Sequence, residues 1–180
     1  MKNGTILRQV INQLNQIDFN SSEDRHVFGD IYETILRDLQ NAGNYGEFYT
    51  PRALTKFITV MINPRLGEKV LDPACGTGGF LTSAIENIRK QDVKGVKDLK
   101  ELEKTIHGME FKPLPFMLSV TNLILHDIEV PNIDYTDSLN REYTSIGQKD
   151  RVDVILANPP FGASVTDGVE TNFPLNFRTT

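Results

Sequence analysis

Leu71-Asp72-Pro73-Ala74-Cys75-Gly76-Thr77-Gly78-Gly79-Phe80 joins a short apolar run to an amphipathic one. The run before it, Glu68 to Leu71, has the length of a strand, and the run after it, Phe80 to Lys90, repeats apolar residues at helical spacing. A glycine-rich turn between strand and helix belongs at the carboxyl edge of a parallel sheet, where ligands bind in doubly wound folds. Glycines there let the backbone turn sharply and approach a ligand without an intervening Cβ. Gly76 and Gly78 match the first two glycines of a dinucleotide fingerprint, but the third position is Leu81 and no Gly-Lys-Ser/Thr follows. Asp72, at the strand end, repels phosphate and can pair with an amino group. A ligand with an ammonium, a sulfonium and no phosphate fits this balance; a plain structural turn is the alternative.

Working outward, the same alternation repeats. Thr105 to Met109 reads as a second strand, Phe116 to His126 as a helix, Ile133 to Tyr135 as a weak strand and Val152 to Ala157 as a strong one. Upstream, Thr50-Pro51 suits a helix entry, cap then proline, leading into Leu54, Phe57, Ile58 and Met61. Gln91 to Lys104 is rich in lysine and acid and reads as a solvated helix face and loop. Strand–helix alternation predicts a parallel sheet with helices on both faces, an α/β fold. The first 43 residues differ in style. Leu7, Val10, Ile11, Leu14 and Ile17 recur at helical steps, and a second helix is expected from Asp24 to Leu39 with Phe28, Ile31, Tyr32, Ile35, Leu36 and Leu39 on its buried side. Asn41-Ala42-Gly43-Asn44-Tyr45-Gly46 breaks that pattern as a linker. The expected organisation is a helical segment over 1–43 and an α/β domain over 44–180.

Composition narrows the function. The chain has 180 residues, enough for one ordinary core, and is 39% hydrophobic and 24% charged. No apolar run approaches the roughly 20 residues that span a bilayer, so no membrane partner is expected. One cysteine, Cys75, excludes an intrachain disulfide and fits the reducing cytoplasm. His26, His107 and His126 are scattered with no partner at metal-ligand spacing, so no metal site is expected. A net charge of −5 argues against a chain that grips nucleic acid unaided, because lysine and arginine supply affinity for the phosphate backbone.

Two strand ends carry further candidates. Glu110 closes the second strand, where a carboxylate can accept hydrogen bonds from two ribose hydroxyls; a surface glutamate is the alternative. Asp137 closes the third, where it can accept from an adenine amine or simply sit in a turn. The fourth strand runs directly into Asn158-Pro159-Pro160-Phe161. The Asn158 side-chain oxygen and the Pro159 carbonyl place two hydrogen-bond acceptors at that strand end. Two prolines stiffen the loop so that these acceptors are preorganised. Phe161 adds an aromatic face beside them.

This tetrapeptide resembles the catalytic motif of amino-group DNA methyltransferases, Asp/Asn/Ser-Pro-Pro-aromatic. Asp72 to Phe80 resembles their cofactor motif, and Gly46-Glu47-Phe48-Tyr49-Thr50-Pro51 resembles the motif that precedes it. In that order, behind a helical segment, the motifs are most similar to the modification (M) subunit of type I restriction-modification systems, over roughly residues 24–180. The resemblance implies a Rossmann-like sheet binding S-adenosylmethionine and a methyl transfer to adenine N6 in double-stranded DNA. It implies catalytic roles for Asn158, Pro159, Pro160 and Phe161. It implies a cofactor site from Glu47, Phe48, Tyr49, Thr50, Pro51, Asp72, Gly76, Thr77, Gly78, Gly79, Glu110 and Asp137. It also implies partners, a specificity (S) subunit that reads the DNA and a restriction (R) subunit.

Neighbouring chemistries fit less well. Cytosine-C5 transfer needs a cysteine after a proline, whereas Cys75 follows Ala74 and reads as a small packed residue. Cytosine-N4 enzymes tend to carry serine where this chain has Asn158. Methyltransferases acting on protein glutamine or RNA share the tetrapeptide and stay open. Such subunits continue beyond the catalytic strand, so a C-terminally truncated sheet is expected, with an open edge that favours self-association. A non-catalytic fragment that binds only cofactor or partners is the second reading.

Overall fold

The computed structural model describes residues 4–15, 21, 28–29, 31–32, 34–36, 38, 50–161 and 168–177. Four strands, β1 (Val70–Asp72), β2 (Ile106–Glu110), β3 (Ile133–Tyr135) and β4 (Val154–Ile155), form one sheet in the order β3-β2-β1-β4. Every pairing is parallel: Val70 lies opposite Ile106 and Val154, and Gly108 opposite Ile133. Parallel neighbours need crossovers. Helices α3 (Gly79–Asp92) and α4 (Val96–Thr105) connect β1 to β2, and α5 (Pro113–Leu125) connects β2 to β3. Ahead of the sheet lie α1 (Gly4–Leu14) and α2 (Arg52–Ile62), with further helical residues between them in 28–38.

The strand order places the site. From β1 the chain steps to β2 and β3 on one side, then returns to lay β4 on the other. Order reversal beside β1 creates the crevice at the strand carboxyl ends that doubly wound sheets use for ligands. The core beneath it is apolar: Val70, Leu81, Ala84, Ile85, Ile88, Leu102, Ile106 and Leu123 are all at most 1% exposed. Full burial of each Leu or Ile contributes about 1.5–3 kcal/mol. Gly108 in β2 lies close beneath α3 and the loop after β1: a Cβ there would lie 2.8 Å from Leu81 Cδ1 and 3.2 Å from Cys75 Sγ, so both side chains would have to shift.

Several local expectations need correction. The lysine-rich stretch forms α4, a largely exposed helix as expected, though its Leu102 is fully buried. The strong strand expected over Val152–Ala157 pairs as a strand only at Val154 and Ile155, because its partner β1 is three residues long. Helix α2 buries Thr55 and Thr59 while Leu54, Phe57 and Met61 are 46–64% exposed. Small threonines suit its tight packing on α3, where Ser83 donates to Thr55 Oγ1 at 2.9 Å. Thr50 does not cap α2. Pro51 occupies the N-cap position instead, and its carbonyl accepts from Leu54 and Thr55.

In the stretch 28–38 the described residues are helical. Tyr32 and Leu36 pack on Leu125, and the Tyr32 hydroxyl donates to the Leu118 carbonyl at 2.7 Å. Ile31 and Ile35, expected on the buried side, are about half exposed, because the contact with α5 is narrower than the apolar stripe. Leu39, the linker at 41–46 and the expected domain boundary lie outside the described residues.

Candidate active site

Two loops leave the sheet on either side of the switch point. After β1, the Asp72 carboxylate accepts from the Ala74 amide at 3.1 Å, turning the chain, and the Cys75 amide donates to the Met109 carbonyl at 3.0 Å, tying the loop to β2. Gly78 has φ +80°, a left-handed conformation that suits glycine, and starts α3. A Cβ on it would lie 3.3–3.4 Å from Leu123 and Ser119 of α5. Asn122, fully buried in α5, donates its Nδ2 to the Thr77 carbonyl at 2.9 Å and fixes the loop from below.

Glu110, 6% exposed, completes the loop from β2. One carboxylate oxygen accepts from the Gly76 amide at 2.9 Å and the other from the Lys112 amide at 2.8 Å. Each oxygen keeps a lone pair for a ligand hydroxyl. Asp72 is 1% exposed. Burial pushes its carboxyl up to about 7, against the Ala74 hydrogen bond and with help from the Glu110 charge. At the third strand end, Asp137 accepts from the Leu139 amide at 2.9 Å. Cys75 is buried, and its thiol is driven up by burial and by the Asp72 charge, as befits a packed residue and not a nucleophile.

These groups converge. Thr50, Asp72, Gly76, Thr77, Gly79, Glu110, Asp137, Asn158, Pro159 and Pro160 line one cleft enclosing about 870 Å³, part of it open to solvent. Motifs more than 100 residues apart in sequence thus share a wall. Phe161 stands outside that lining at 90% exposure, with its ring presented to solvent. Gly78 lies behind it, buried, and Pro51 is exposed at the start of α2. Glu47, Phe48 and Tyr49 lie outside the described residues.

Residues 23–179 match the family model described as N-6 DNA Methylase. The chain belongs to that family. It is 56% identical over 180 residues to the Type I restriction enzyme EcoEI methylase subunit of Escherichia coli, covering 99% of this chain and 36% of that one. A chain assigned as a modification subunit of a type I restriction enzyme from Vibrio vulnificus YJ016 superposes with a TM-score of 0.84 at 49% identity, covering 99% of this chain and 37% of that one. A class I S-adenosylmethionine-dependent methyltransferase fold from Listeria monocytogenes superposes at 0.60 with 21% identity, over 89% and 47% of the two chains. This last likeness concerns the fold alone. The N-6 DNA methylase chain spans about a third of the length of its relatives from Escherichia coli and Vibrio vulnificus.

The cleft of this N-6 DNA methylase chain suits a cationic nucleoside cofactor. Its glycine loop has no Cβ to block approach at Gly76 or Gly79, and the acid groups Asp72, Glu110 and Asp137 ring it. Phosphate would meet those carboxylates, whereas an ammonium or sulfonium is attracted by them. Sequence reasoning missed two kinds of residue. Phe111 and Lys112 follow Glu110 into the cleft wall, and an aromatic directly after a strand-end carboxylate was a signal open to reading. Asn122 carried none, because its partner lies 45 positions away.

Proposed function

We propose that this chain is the cofactor-binding and catalytic part of a DNA adenine-N6 methyltransferase, the modification subunit of a type I restriction-modification system. The convergence of Asn158-Pro159-Pro160 with the glycine loop and Glu110 on one cleft carries the reading. Residues 44–180 are assigned to the catalytic domain of a cytoplasmic enzyme. S-adenosylmethionine, when bound, supplies a methyl group on a sulfonium. Asp72 offers a carboxylate to its ammonium, Glu110 has lone pairs for the ribose hydroxyls, and Asp137 can accept from the adenine amine.

The protein's part in the chemistry is preorganisation. Asn158 Oδ1 and the Pro159 carbonyl accept the two hydrogens of the target N6. That draws the nitrogen lone pair out of conjugation and aims it into the cleft. Pro159 and Pro160 hold the acceptors still, so no reorganisation is needed as charge develops. The exposed Phe161 ring gives the flipped adenine a stacking face. Double-stranded DNA is the proposed substrate. With a net charge of −5, its grip is assigned to a specificity subunit, and the restriction subunit completes the assembly.

The test is Asn158→Ala in the assembled enzyme, measuring transfer of labelled methyl groups to DNA and cofactor affinity in parallel. Loss of one preorganised group costs about 10²–10³ in rate by analogy with oxyanion-hole donors, while cofactor affinity stays nearly intact. Methylation of adenine at the normal rate would make the tetrapeptide a structural turn and end this assignment.

A further inference from the structure

The Asn158 side chain is not alone in the cleft wall. Its Nδ2 donates to Thr50 Oγ1 at 3.2 Å, a bond between residues 108 positions apart that joins the loop after β4 to the start of α2. An asparagine amide has two faces of opposite character, and a rotation of its terminal torsion exchanges them. With Nδ2 committed to Thr50, Oδ1 is the atom left for a substrate amine. The reversed amide would present donors to a donor.

Two residues on, Arg52 is anchored to α3. The Arg52 guanidinium donates to the Gly79 carbonyl at 3.0 Å and to Thr82 Oγ1, and pairs with Glu86 at 3.1 Å. Burial raises the Glu86 carboxyl, but the His126 hydrogen bond and the Arg52 and Lys56 charges together hold it down, to about 2. It therefore keeps its charge, and the network fastens Arg52, two residues after Thr50, to the N-terminal half of α3, the helix that follows the glycine loop. The geometry points to Thr50 as a positioning residue: its hydroxyl holds the Asn158 side chain against the start of α2 and so sets it relative to the cofactor loop. This inference rests on the proposed role of Asn158.

The experiment is single-turnover methyl transfer by the assembled enzyme, at saturating S-adenosylmethionine, with Thr50→Val, Thr50→Ala and Thr50→Ser, alone and combined with Asn158→Ala. Loss of the hydroxyl is expected to lower the transfer rate constant about tenfold or more, with the deficit persisting at saturating cofactor. Thr50→Ser is expected to restore most of the rate. Adding Thr50→Val to Asn158→Ala is expected to cause no further loss, the signature of a residue that acts through the other. A wild-type rate in both hydroxyl-free variants overturns the inference, as does a deficit that more cofactor fully repairs, or a second, independent loss on the Asn158→Ala background. If Asn158→Ala is slow while both hydroxyl-free variants are normal, only this inference falls. If Asn158→Ala is normal, the reading of the site falls with it.

Discussion

Replacing Asp72 by asparagine is expected to make the protein more stable and worse at holding its cofactor. Asp72 is 1% exposed, and burial, opposed by the Ala74 amide and reinforced by Glu110, lifts its carboxyl from 3.8 to about 7. A carboxyl raised on folding means that the native state holds a proton which the unfolded chain releases. Stability from this group is thus full below pH 3.8, falls as pH rises toward 7, and is flat above. At about 1.36 kcal/mol for each pH unit of difference, the ionised group costs up to about 4 kcal/mol at pH 8. Asp72→Asn keeps an oxygen for the Ala74 amide and removes the charge. Denaturant unfolding at pH 8 should show the variant more stable by as much as that figure, with the gap falling below about 2 kcal/mol at pH 5. Calorimetry should show weaker S-adenosylmethionine binding, by roughly tenfold to a hundredfold, because a hydrogen bond to a charged group contributes about 1.5–3 kcal/mol. A variant no more stable than the parent at pH 8, or a gap that does not change with pH, would refute the argument.

Gly78→Ala places a side chain at φ +80° with its Cβ 3.3 Å from Leu123 Cδ1, and left-handed backbone alone costs an L-residue about 1–2 kcal/mol. A lower melting temperature and cofactor affinity at least tenfold weaker are expected by thermal unfolding and calorimetry; parental values in both would show that the loop has no need of glycine there. Phe161→Ala should leave stability unchanged, since the ring is 90% exposed, and slow methylation by weakening base capture, as stacking is worth about 1–3 kcal/mol per base. Phe161→Trp should keep much of the rate, and an equal loss in both variants would argue against stacking.

How much of this was legible depended on the range of the interaction. The glycine loop, Glu110 and the tetrapeptide were readable because each is a contiguous signal at a strand end, and parallel topology delivers strand ends to one edge. Their convergence on one cleft follows from the strand order. Side-chain environment was harder to read. The apolar stripe of α2 suggested burial, yet it is Thr55 and Thr59 that are buried, because a close helix contact prefers small residues, and the Thr55 hydroxyl accepts from Ser83 across it. Thr50 looked like a cap, yet its hydroxyl serves Asn158, a partner 108 positions away that no local pattern reveals. Ile31 and Ile35 show the same limit in helical form: periodicity marks an apolar stripe without stating how much of it a neighbour covers.

The charge of the cleft and the charge of the chain have one consequence in common. Asp72, Glu110 and Asp137 surround the place where the proposed cofactor would carry its positive groups, which favours that cofactor over a dinucleotide. The same carboxylates repel a phosphate backbone, and an excess of 24 acidic over 19 basic residues extends the repulsion over the chain. Holding a cationic cofactor and gripping DNA pull the electrostatics of one small domain in opposite directions. Under the proposed function, dividing the tasks between polypeptides would resolve the conflict: this chain would keep an acidic cleft and the Asn158 acceptor, and cations supplied by a partner would hold the phosphates. In that reading a base flipped out of the duplex would enter the cleft without most of its backbone, so the acidic wall would meet a neutral ring, and the exposed Phe161 face would be available to stack on it.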